Sequence, residues 1–205
     1  MYKNIIFDVD GTLINTQKVT IEGLRYVLEQ ENISKSFEEL MQYDGLPSLE
    51  VLKNFHISNI EEAKNKWHLY VEEHTHDFSI YYGIESVLKL LQIKGIPMSI
   101  VTSRSREEIE YDPQLNGLLD YFDLSVSFDE TSSHKPHPAP ILYALDHQQY
   151  LASETLYIGD SIYDYKACLS SGVSFGKALW GHKQFNINKE HYEFKTPIDI
   201  LEYIS

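Results

Sequence analysis

The sequence predicts an α/β fold, in which a parallel β-sheet carries helices on both faces and an all-helical segment is inserted after the first strand. Three observations predict it. The short apolar run Ile5-Ile6-Phe7 ends directly at acidic residues and a glycine, as a buried parallel strand often does. Residues 16–78 show only helical periodicity. From about residue 81, apolar strands and amphipathic helices alternate, which indicates a parallel sheet.

The inserted segment is predicted to be helical throughout. Apolar side chains recur at helical spacing in residues 16–31. Two Ser-x-x-Glu capping boxes, beginning at Ser36 and Ser58, predict two further helix starts. Gly45-Leu46-Pro47-Ser48 lies between them and favours a turn that joins two helices.

The alternating part begins with a helix whose apolar face runs from Ile84 to Leu91. Thr196-Pro197, a capping residue followed by proline, predicts the start of the last helix. The remaining strands are expected at 98–101, 124–128, 155–159 and 173–178, and the remaining helices near 105–110, 138–147 and 162–171. Because the first strand belongs to the same sheet, residues 1–14 and 81–205 are predicted to form a Rossmann-like core, and residues 15–80 the helical insertion.

Composition excludes some classes of function. The chain has 205 residues and a net charge of -14, with 17 Lys and Arg against 31 Asp and Glu, which argues against a nucleic-acid partner. The single cysteine, Cys168, cannot form an intramolecular disulfide and fits a reducing compartment. The residues before the first strand do not show the charged and apolar pattern of a signal peptide, and the sequence contains no apolar stretch of roughly 18 residues. We therefore expect a cytoplasmic protein without a membrane partner.

Two acidic residues follow the first strand. The spacing of Asp8 and Asp10 puts both on one side of an extended chain, and Gly11 then allows a sharp turn. Two close carboxylates repel each other unless a cation or a proton lies between them. A calcium loop is disfavoured, because Thr12 and Val19 stand where such a loop needs further oxygen ligands.

Other polar residues follow later strands. Asp160 comes directly after an apolar run, and Asp164 lies one helical turn further on, so both carboxylates can reach one point. Lys135 precedes a proline that restricts its backbone to extended conformations. Thr102 and Ser103 end another predicted strand, where their hydroxyl groups can donate to an anion.

The carboxyl ends of parallel strands converge on one edge of a sheet. The sequence therefore predicts that acids, hydroxyl groups and a lysine meet there. Oxygen ligands and a lysine are the composition of a site for Mg²⁺-assisted phosphoryl transfer.

In these residues the chain resembles the haloacid dehalogenase-like hydrolases, in the branch of phosphoglycolate-phosphatase-like and β-phosphoglucomutase-like enzymes. Asp8-Val9-Asp10-Gly11-Thr12-Leu13 matches the first motif of that family, Val101-Thr102-Ser103 the second, Lys135-Pro136 the third and Gly159-Asp160 through Asp164 the fourth. The resemblance covers nearly the whole chain. It is weakest over residues 15–80, which correspond to the helical cap of the family.

The resemblance implies a two-step mechanism with Mg²⁺ as cofactor. Asp8 is expected to attack phosphorus and to carry an aspartyl-phosphate. Asp10 is expected to protonate the leaving alcohol and then to activate water. The implied metal ligands are the side chains of Asp8 and Asp160 and the backbone carbonyl of Asp10. Thr102 and Lys135 would bind the phosphoryl oxygens, and Lys135 would also steady Asp8.

Further roles also follow from the resemblance. Ser103 is grouped with the phosphate-binding residues, and Thr12 is expected to support the site. Asp164 is expected to support either the metal-bound waters or Lys135. Arg104 stands where many members have Asn or Lys, and Tyr82 where many have proline; we expect both to lie away from the chemistry and to alter substrate fit. By family analogy, the expected specificity residues are Tyr43, Gly45, Leu46, Ser48 and Arg104.

The expected activity is that of a phosphatase acting on a small phosphorylated metabolite. Three alternatives stay open: a phosphomutase of the same fold, a phosphonate hydrolase with a Schiff-base lysine such as Lys18, Lys35 or Lys53, and a response-regulator-like phosphoacceptor module. The sequence decides neither the substrate nor whether the chain is a monomer or a homodimer.

Overall fold

A computed structural model describes residues 1–44, 48–181, 185 and 191–205. The chain forms two compact units, one of Met1–Asn15 with Ser79–Ser205 and the other of Thr16–Phe78. Within the described ranges, none of the helices has both the length and the apolar character needed to cross a lipid bilayer.

The unit of Thr16–Phe78 is helical, and its described residues contain no strand. Its α-helices are α1 (Gln17–Gln30), α2 (Phe37–Leu40), α3 (Ser48–Asn54) and α4 (Ile60–Glu73), with short 3-10 helices at Met41–Tyr43 and Thr75–Asp77. A cluster of buried side chains from the four α-helices forms its core. Trp67 of α4 is buried there, and its indole N–H donates to the carbonyl of Thr20 on α1 at 2.8 Å.

The other unit is built on strands. The described strands are β1 (Asn4–Phe7), β2 (Ile14–Asn15), β3 (Ser79–Ile80), β4 (Met98–Val101), β5 (Leu124–Val126), β6 (Thr155–Gly159), β7 (Ser174–Ala178) and β8 (Tyr192–Phe194). Six of them form one sheet in the order β5-β4-β1-β6-β7-β8, and every neighbouring pair in it is parallel. β2 and β3 form a separate antiparallel pair.

Helices surround this sheet. They are α5 (Ile84–Ile93), α6 (Arg106–Tyr111), α7 (Pro113–Asn116), α8 (Ala139–Gln148) and α9 (Ile162–Ser171), with 3-10 helices at Leu119–Tyr121, Phe128–Glu130, Ala152–Glu154 and Pro197–Tyr203. Apolar side chains of α8 and α9 pack against five strands in one buried cluster, which contains Ile6, Val101, Val126, Ile141, Ala144, Leu145, Tyr157, Ala167, Cys168, Val173 and Phe175.

The predicted fold class is confirmed: a Rossmann-like parallel sheet with helices around it. Every residue of β1 is buried because this strand lies in the middle of the sheet, with β4 on one side and β6 on the other. The Ser36 capping box is present as predicted. The one predicted at Ser58 is wrong, because Asn59 caps α4 instead and accepts the N–H of Glu62.

Short elements account for the other differences. The periodicity predicts neither the two-residue strands β2 and β3 nor the three-residue strand β8, because such runs are too short to show a repeat. The β2–β3 pair places Asn15 and Ser79–Ile80, which the sequence assigned to the insertion, in the sheet-containing unit. The last helix begins at Pro197, as expected, but is a 3-10 helix.

Truncation of a buried leucine on α5 is expected to destabilise the sheet-containing unit. Leu91 is 0% exposed, and Leu91→Ala should lower the free energy of unfolding by about 2–5 kcal/mol, because it removes buried methyl groups and leaves a cavity. Leu90, its neighbour on the same helix, is 39% exposed, and Leu90→Ala should change the free energy by about 0.5 kcal/mol or less. Urea denaturation measures both. Equal losses would contradict the burial assigned to this helix face.

Candidate active site

The site lies at the carboxyl edge of the sheet, where three adjacent strands end. Asp8 follows β1, Thr102 follows β4 on one side of it, and Asp160 follows β6 on the other. All three residues are buried. The pairing of Phe7 with both Ile100 and Ile158 keeps the three strand ends level. Parallel pairing therefore brings together residues that lie far apart in the sequence.

Lys135 reaches this edge from the loop before α8. Its ammonium group donates to Oδ1 of Asp8 at 2.7 Å, to Oδ1 of Asp164 at 2.7 Å and to the backbone carbonyl of Val101 at 3.2 Å. The hydroxyl oxygen of Tyr157 lies 3.1 Å from the same nitrogen. Only 4% of the lysine side chain is exposed, so the ion pairs are largely shielded from water.

The charge of Lys135 is stabilised by these partners. Burial opposes the charged form, but attraction by Asp164 and Asp8 outweighs it and raises the pKa of Lys135 above its usual value. Burial, followed by the negative charges of Asp164 and Asp8, raises the pKa of Tyr157 well above its usual value. The lysine therefore stays a cation and the tyrosine stays a neutral hydroxyl group over the whole physiological pH range.

Asp164 lies one turn into α9 and is fully buried. Its Oδ1 accepts from Lys135 and, at 3.0 Å, from the hydroxyl of Tyr157. Its Oδ2 accepts from the backbone N–H and the hydroxyl group of Ser161. With both oxygens engaged, Asp164 holds Lys135 in place, which is one of the two roles the sequence left open for it.

Carboxylate oxygens of Asp8, Asp160 and Asp164 lie within 4.8 Å of one another. Against these three negative charges the cluster contains one cation, Lys135, so a divalent cation would neutralise the remainder. The donors are all oxygen atoms, which suit Mg²⁺ or another hard cation. Because Asp164 is already engaged on both oxygens, Asp8 and Asp160 fit the role of metal ligands better.

Gly11 makes room for Asp160. Its φ of +78° favours glycine, and a Cβ atom there would lie 2.0 Å from Oδ2 of Asp160. Gly181 approaches from the loop after β7, where a Cβ atom would lie 2.3 Å from the carbonyl oxygen of Gly11. Next to it, the indole N–H of Trp180 donates to the carbonyl of Thr12 at 2.8 Å. Both glycines therefore allow the backbone to close around the acidic cluster.

Arg104 is where the structure departs most from the sequence analysis. Its Nε lies 3.0 Å from Oδ2 of Asp10, and its Nη2 lies 2.8 Å from Oδ1 of the same carboxylate. Its Nη1 donates to Oδ2 of Asp112 at 2.6 Å. The expectation that Arg104 lies away from the catalytic residues is wrong. Its guanidinium group donates to both carboxylate oxygens of Asp10, the proposed acid and base.

Three functional candidates gave little or no signal in the sequence. Tyr157 lies within an apolar strand, where the sequence predicts a side chain of the hydrophobic core. Asp112 precedes Pro113, and this pair of residues indicates only the start of a helix. The sequence marks Arg104 as a departure from the family pattern and an expected specificity residue, but not as a partner of Asp10. Pairing across 94 residues, as between Asp10 and Arg104, leaves no local pattern that a single sequence could reveal.

The remaining predicted residues have different surroundings. Thr102 is buried, and its hydroxyl oxygen accepts the backbone N–H of Arg104 at 3.2 Å, whereas Ser103 is exposed. In the helical unit, Tyr43 packs against Phe55, with 5.1 Å between the ring centroids. Ser48 begins α3. Gly45 and Leu46 lie outside the described residues.

The sheet and this site together define an α/β enzyme of the phosphoryl-transfer type. A family model described as haloacid dehalogenase-like hydrolase matches residues 5–178, and the chain belongs to that family. This confirms the resemblance, the fold class and the expected enzyme class, a haloacid dehalogenase-like phosphatase. The membership does not support a response-regulator-like module.

Individual relatives are similar to this chain over nearly their full length. A protein of Clostridium perfringens provisionally named pyrophosphatase PpaX is 31% identical over 100% of this chain and 98% of its own. Pyrophosphatase PpaX of Bacillus mycoides is 28% identical over 98% of this chain and 96% of its own. The crystal structure of a protein from Lactobacillus plantarum, provisionally described as a phosphoglycolate phosphatase, superposes with a TM-score of 0.85 at 27% identity, covering 98% of this chain and 99% of that one.

Substitution of Gly11 is expected to disrupt the acidic cluster. In Gly11→Ala the new methyl group would collide with the carboxylate of Asp160. Turnover of 4-nitrophenyl phosphate should fall by about 100-fold or more, because a shift of about 1 Å in a catalytic group can lower the rate by that factor. Gly172 is the matched control, since its φ is +75° and a Cβ atom there meets nothing within 4 Å. Gly172→Ala should cost about 1–2 kcal/mol of stability and retain activity. Similar losses of activity in both variants would refute the steric argument.

Proposed function

We propose that the protein is a Mg²⁺-dependent phosphatase that hydrolyses a small phosphomonoester through an aspartyl-phosphate on Asp8. The observation that carries this proposal is the buried contact of Lys135 with Asp8, at 2.7 Å, inside a cluster of three aspartates at the edge of the sheet. An anionic nucleophile can attack an anionic substrate only where nearby positive charge offsets the repulsion between them. Lys135 supplies part of that charge.

Asp8 is the proposed nucleophile. Lys135 holds its Oδ1, which limits rotation of the carboxylate and favours attack by Oδ2 on phosphorus. The bond between phosphorus and the leaving oxygen then breaks, and the phosphoryl group stays on Asp8. Lys135 and Thr102 are placed to bind its oxygens, and Ser103 is the exposed hydroxyl of the same strand end.

Asp10 is proposed to be the general acid and base of the reaction. It would donate a proton to the leaving alcohol in the first step, and take one from the water that cleaves the aspartyl-phosphate in the second. Its side chain is 38% exposed, in contrast to the buried Asp8, so water and substrate can reach it. Two adjacent aspartates thereby serve different roles because their surroundings differ.

The proposed metal ligands are the side chains of Asp8 and Asp160 and the backbone carbonyl of Asp10. When bound, Mg²⁺ would supply positive charge next to the phosphoryl group and the nucleophile. Asp164 and Thr12 are proposed as supporting residues. Asp164 fixes Lys135, and the carbonyl of Thr12 anchors Trp180 next to Gly181.

The proposed substrate is a small phosphorylated metabolite. Pyrophosphate is a second candidate, because relatives that match almost the whole chain carry the name pyrophosphatase. By family analogy, we propose that the helical unit acts as a cap that carries specificity residues, among them Tyr43 and Ser48. A cytoplasmic location is proposed from the lone, buried Cys168.

Replacement of the nucleophile is expected to abolish turnover. Asp8→Asn keeps the size of the side chain but removes the charge that attacks phosphorus, so hydrolysis of every substrate should be lost while the fold persists. The measurement is release of inorganic phosphate from phosphorylated sugars, nucleotides, glycolate phosphate and pyrophosphate, with and without Mg²⁺. Mass spectrometry of the acid-quenched wild-type enzyme should find phosphate on the peptide that contains Asp8.

Asp146→Asn is the control, because Asp146 is an exposed carboxylate on α8, and it should leave turnover unchanged. Substantial residual turnover in Asp8→Asn would refute the assignment of the nucleophile. Turnover that depends on traces of a sugar bisphosphate would show a mutase instead. Inactivation by borohydride in the presence of a phosphonate substrate would show a Schiff-base enzyme.

Loss of one metal ligand is expected to weaken metal binding. Asp160→Asn removes a negative charge from the proposed Mg²⁺ site but keeps its oxygen, so the Mg²⁺ concentration needed for half-maximal activity should rise by at least about tenfold. The measurement is a Mg²⁺ titration of phosphate release, with direct binding followed by calorimetry. An unchanged Mg²⁺ requirement would remove Asp160 from the ligand set.

A further inference from the structure

Arg104 is a buried cation that the proposed mechanism does not use. It begins the loop after Thr102 and Ser103, and only 8% of the residue is exposed. Burial of an arginine is costly unless its charge is paired and its N–H groups are bonded. The hydrogen-bond and ion-pair partners of Arg104 therefore indicate its role.

The contact with Asp10 is bidentate. Nε and Nη2 of the guanidinium group face the two oxygens of the carboxylate, at 3.0 and 2.8 Å. Such a planar fork fixes the orientation of a carboxylate as well as its position, which a single lysine ammonium cannot do. The rotation of the Asp10 side chain is thereby restricted.

Asp112 anchors the other end of the guanidinium group. Its Oδ2 accepts from Nη1 at 2.6 Å, and its Oδ1 accepts the backbone N–H groups of Gln114 and Leu115, which open α7. Asp112 is 0% exposed. The anchor is consequently part of a helix cap and cannot move without disturbing that helix.

The backbone of Arg104 is held as well. Its N–H donates to the hydroxyl oxygen of Thr102, and its carbonyl accepts the N–H of Phe128 at 2.7 Å. Burial disfavours the charged form of Arg104, but attraction by Asp10 and Asp112 outweighs this and raises its pKa. Of the three charged groups, Asp10 is the exposed one, and Arg104 and Asp112 form its fixed support.

We propose that Arg104, anchored by Asp112, is a positioning residue that holds the carboxyl group of Asp10 in the orientation needed for proton transfer to the leaving group. The guanidinium group uses one lone pair of each Asp10 oxygen, so the second lone pair of an oxygen carries the proton, which passes from there to the departing alcohol oxygen. This inference rests on the proposed function of Asp10. It replaces the specificity role that the sequence suggested for Arg104. Asp112 acts through Arg104, and neither residue needs to touch the substrate.

The test compares two esters that differ in leaving group. An alkyl phosphate needs a proton on its departing oxygen, whereas 4-nitrophenyl phosphate releases a stable phenolate and needs little help. Arg104→Lys keeps the charge and loses the fork. We expect kcat/KM, which reports the first step, to fall by about 100-fold for the alkyl ester and by less than about tenfold for the aryl ester.

Asp112→Asn is the second variant. It keeps the Oδ1 that caps α7 and places an amide N–H₂ against the guanidinium group, so α7 should persist while the anchor is lost. The same selective loss on the alkyl ester is expected. Circular dichroism and thermal unfolding report whether each variant is folded. Arg106→Lys, at the start of α6 and paired with Glu130, should leave the ratio of the two kcat/KM values unchanged.

A double-mutant cycle completes the test. If Arg104 acts through Asp10, then Arg104→Lys should add little to the loss already caused by Asp10→Asn on the alkyl ester. Equal losses on both esters, or additive losses in the cycle, would overturn the inference. Failure of the proposed function is a separate result: wild-type enzyme without Mg²⁺-dependent turnover, or an active Asp8→Asn variant, would refute that function whatever the Arg104 variants show.

Discussion

The structure of the site depends on one buried cation, Lys135, held between the carboxylates of Asp8 and Asp164. An unpaired ammonium group would not remain charged in so buried a place, and an unpaired Asp8 would repel both its neighbours and a phosphate. Loss of one partner from a buried pair typically costs about 3–5 kcal/mol, so the three groups stabilise one another's positions. The parallel sheet supplies the geometry, because β1 and β6 are neighbours that end at the same edge.

A second buried cation repeats the same arrangement beside the first. Lys135 links Asp8 to the fully buried Asp164, and Arg104 links Asp10 to the fully buried Asp112. In each case a carboxylate proposed for the chemistry is bound by a cation, and that cation is anchored by a carboxylate at the start of a helix. The two aspartates proposed for the chemistry are thus held in place by charge pairs whose outer members belong to helices.

The sequence allowed prediction of the fold class and of the residues around Asp8, because both leave local patterns. Apolar runs marked β1, β4 and β6, and the acids at their ends marked one edge of the sheet. The capping box at Ser58 and the α-helical character after Thr196 were mispredicted, since cap position and 3-10 geometry depend on contacts that the local sequence does not contain. The short strands β2, β3 and β8 were missed because their sequences show no repeat.

By itself, then, the sequence determined the class of fold, the membership of a family and the acids at each strand end, since periodicity and motifs are properties of neighbouring residues. Apart from the contact of Lys135 with Asp8, which the family resemblance implies, only the tertiary structure decided which charges pair. Lys135 and Asp8 are 127 residues apart, and Arg104 and Asp10 are 94 apart. Pairing over such distances depends on how the folded chain excludes water and brings cations to buried carboxylates, which composition and spacing do not encode.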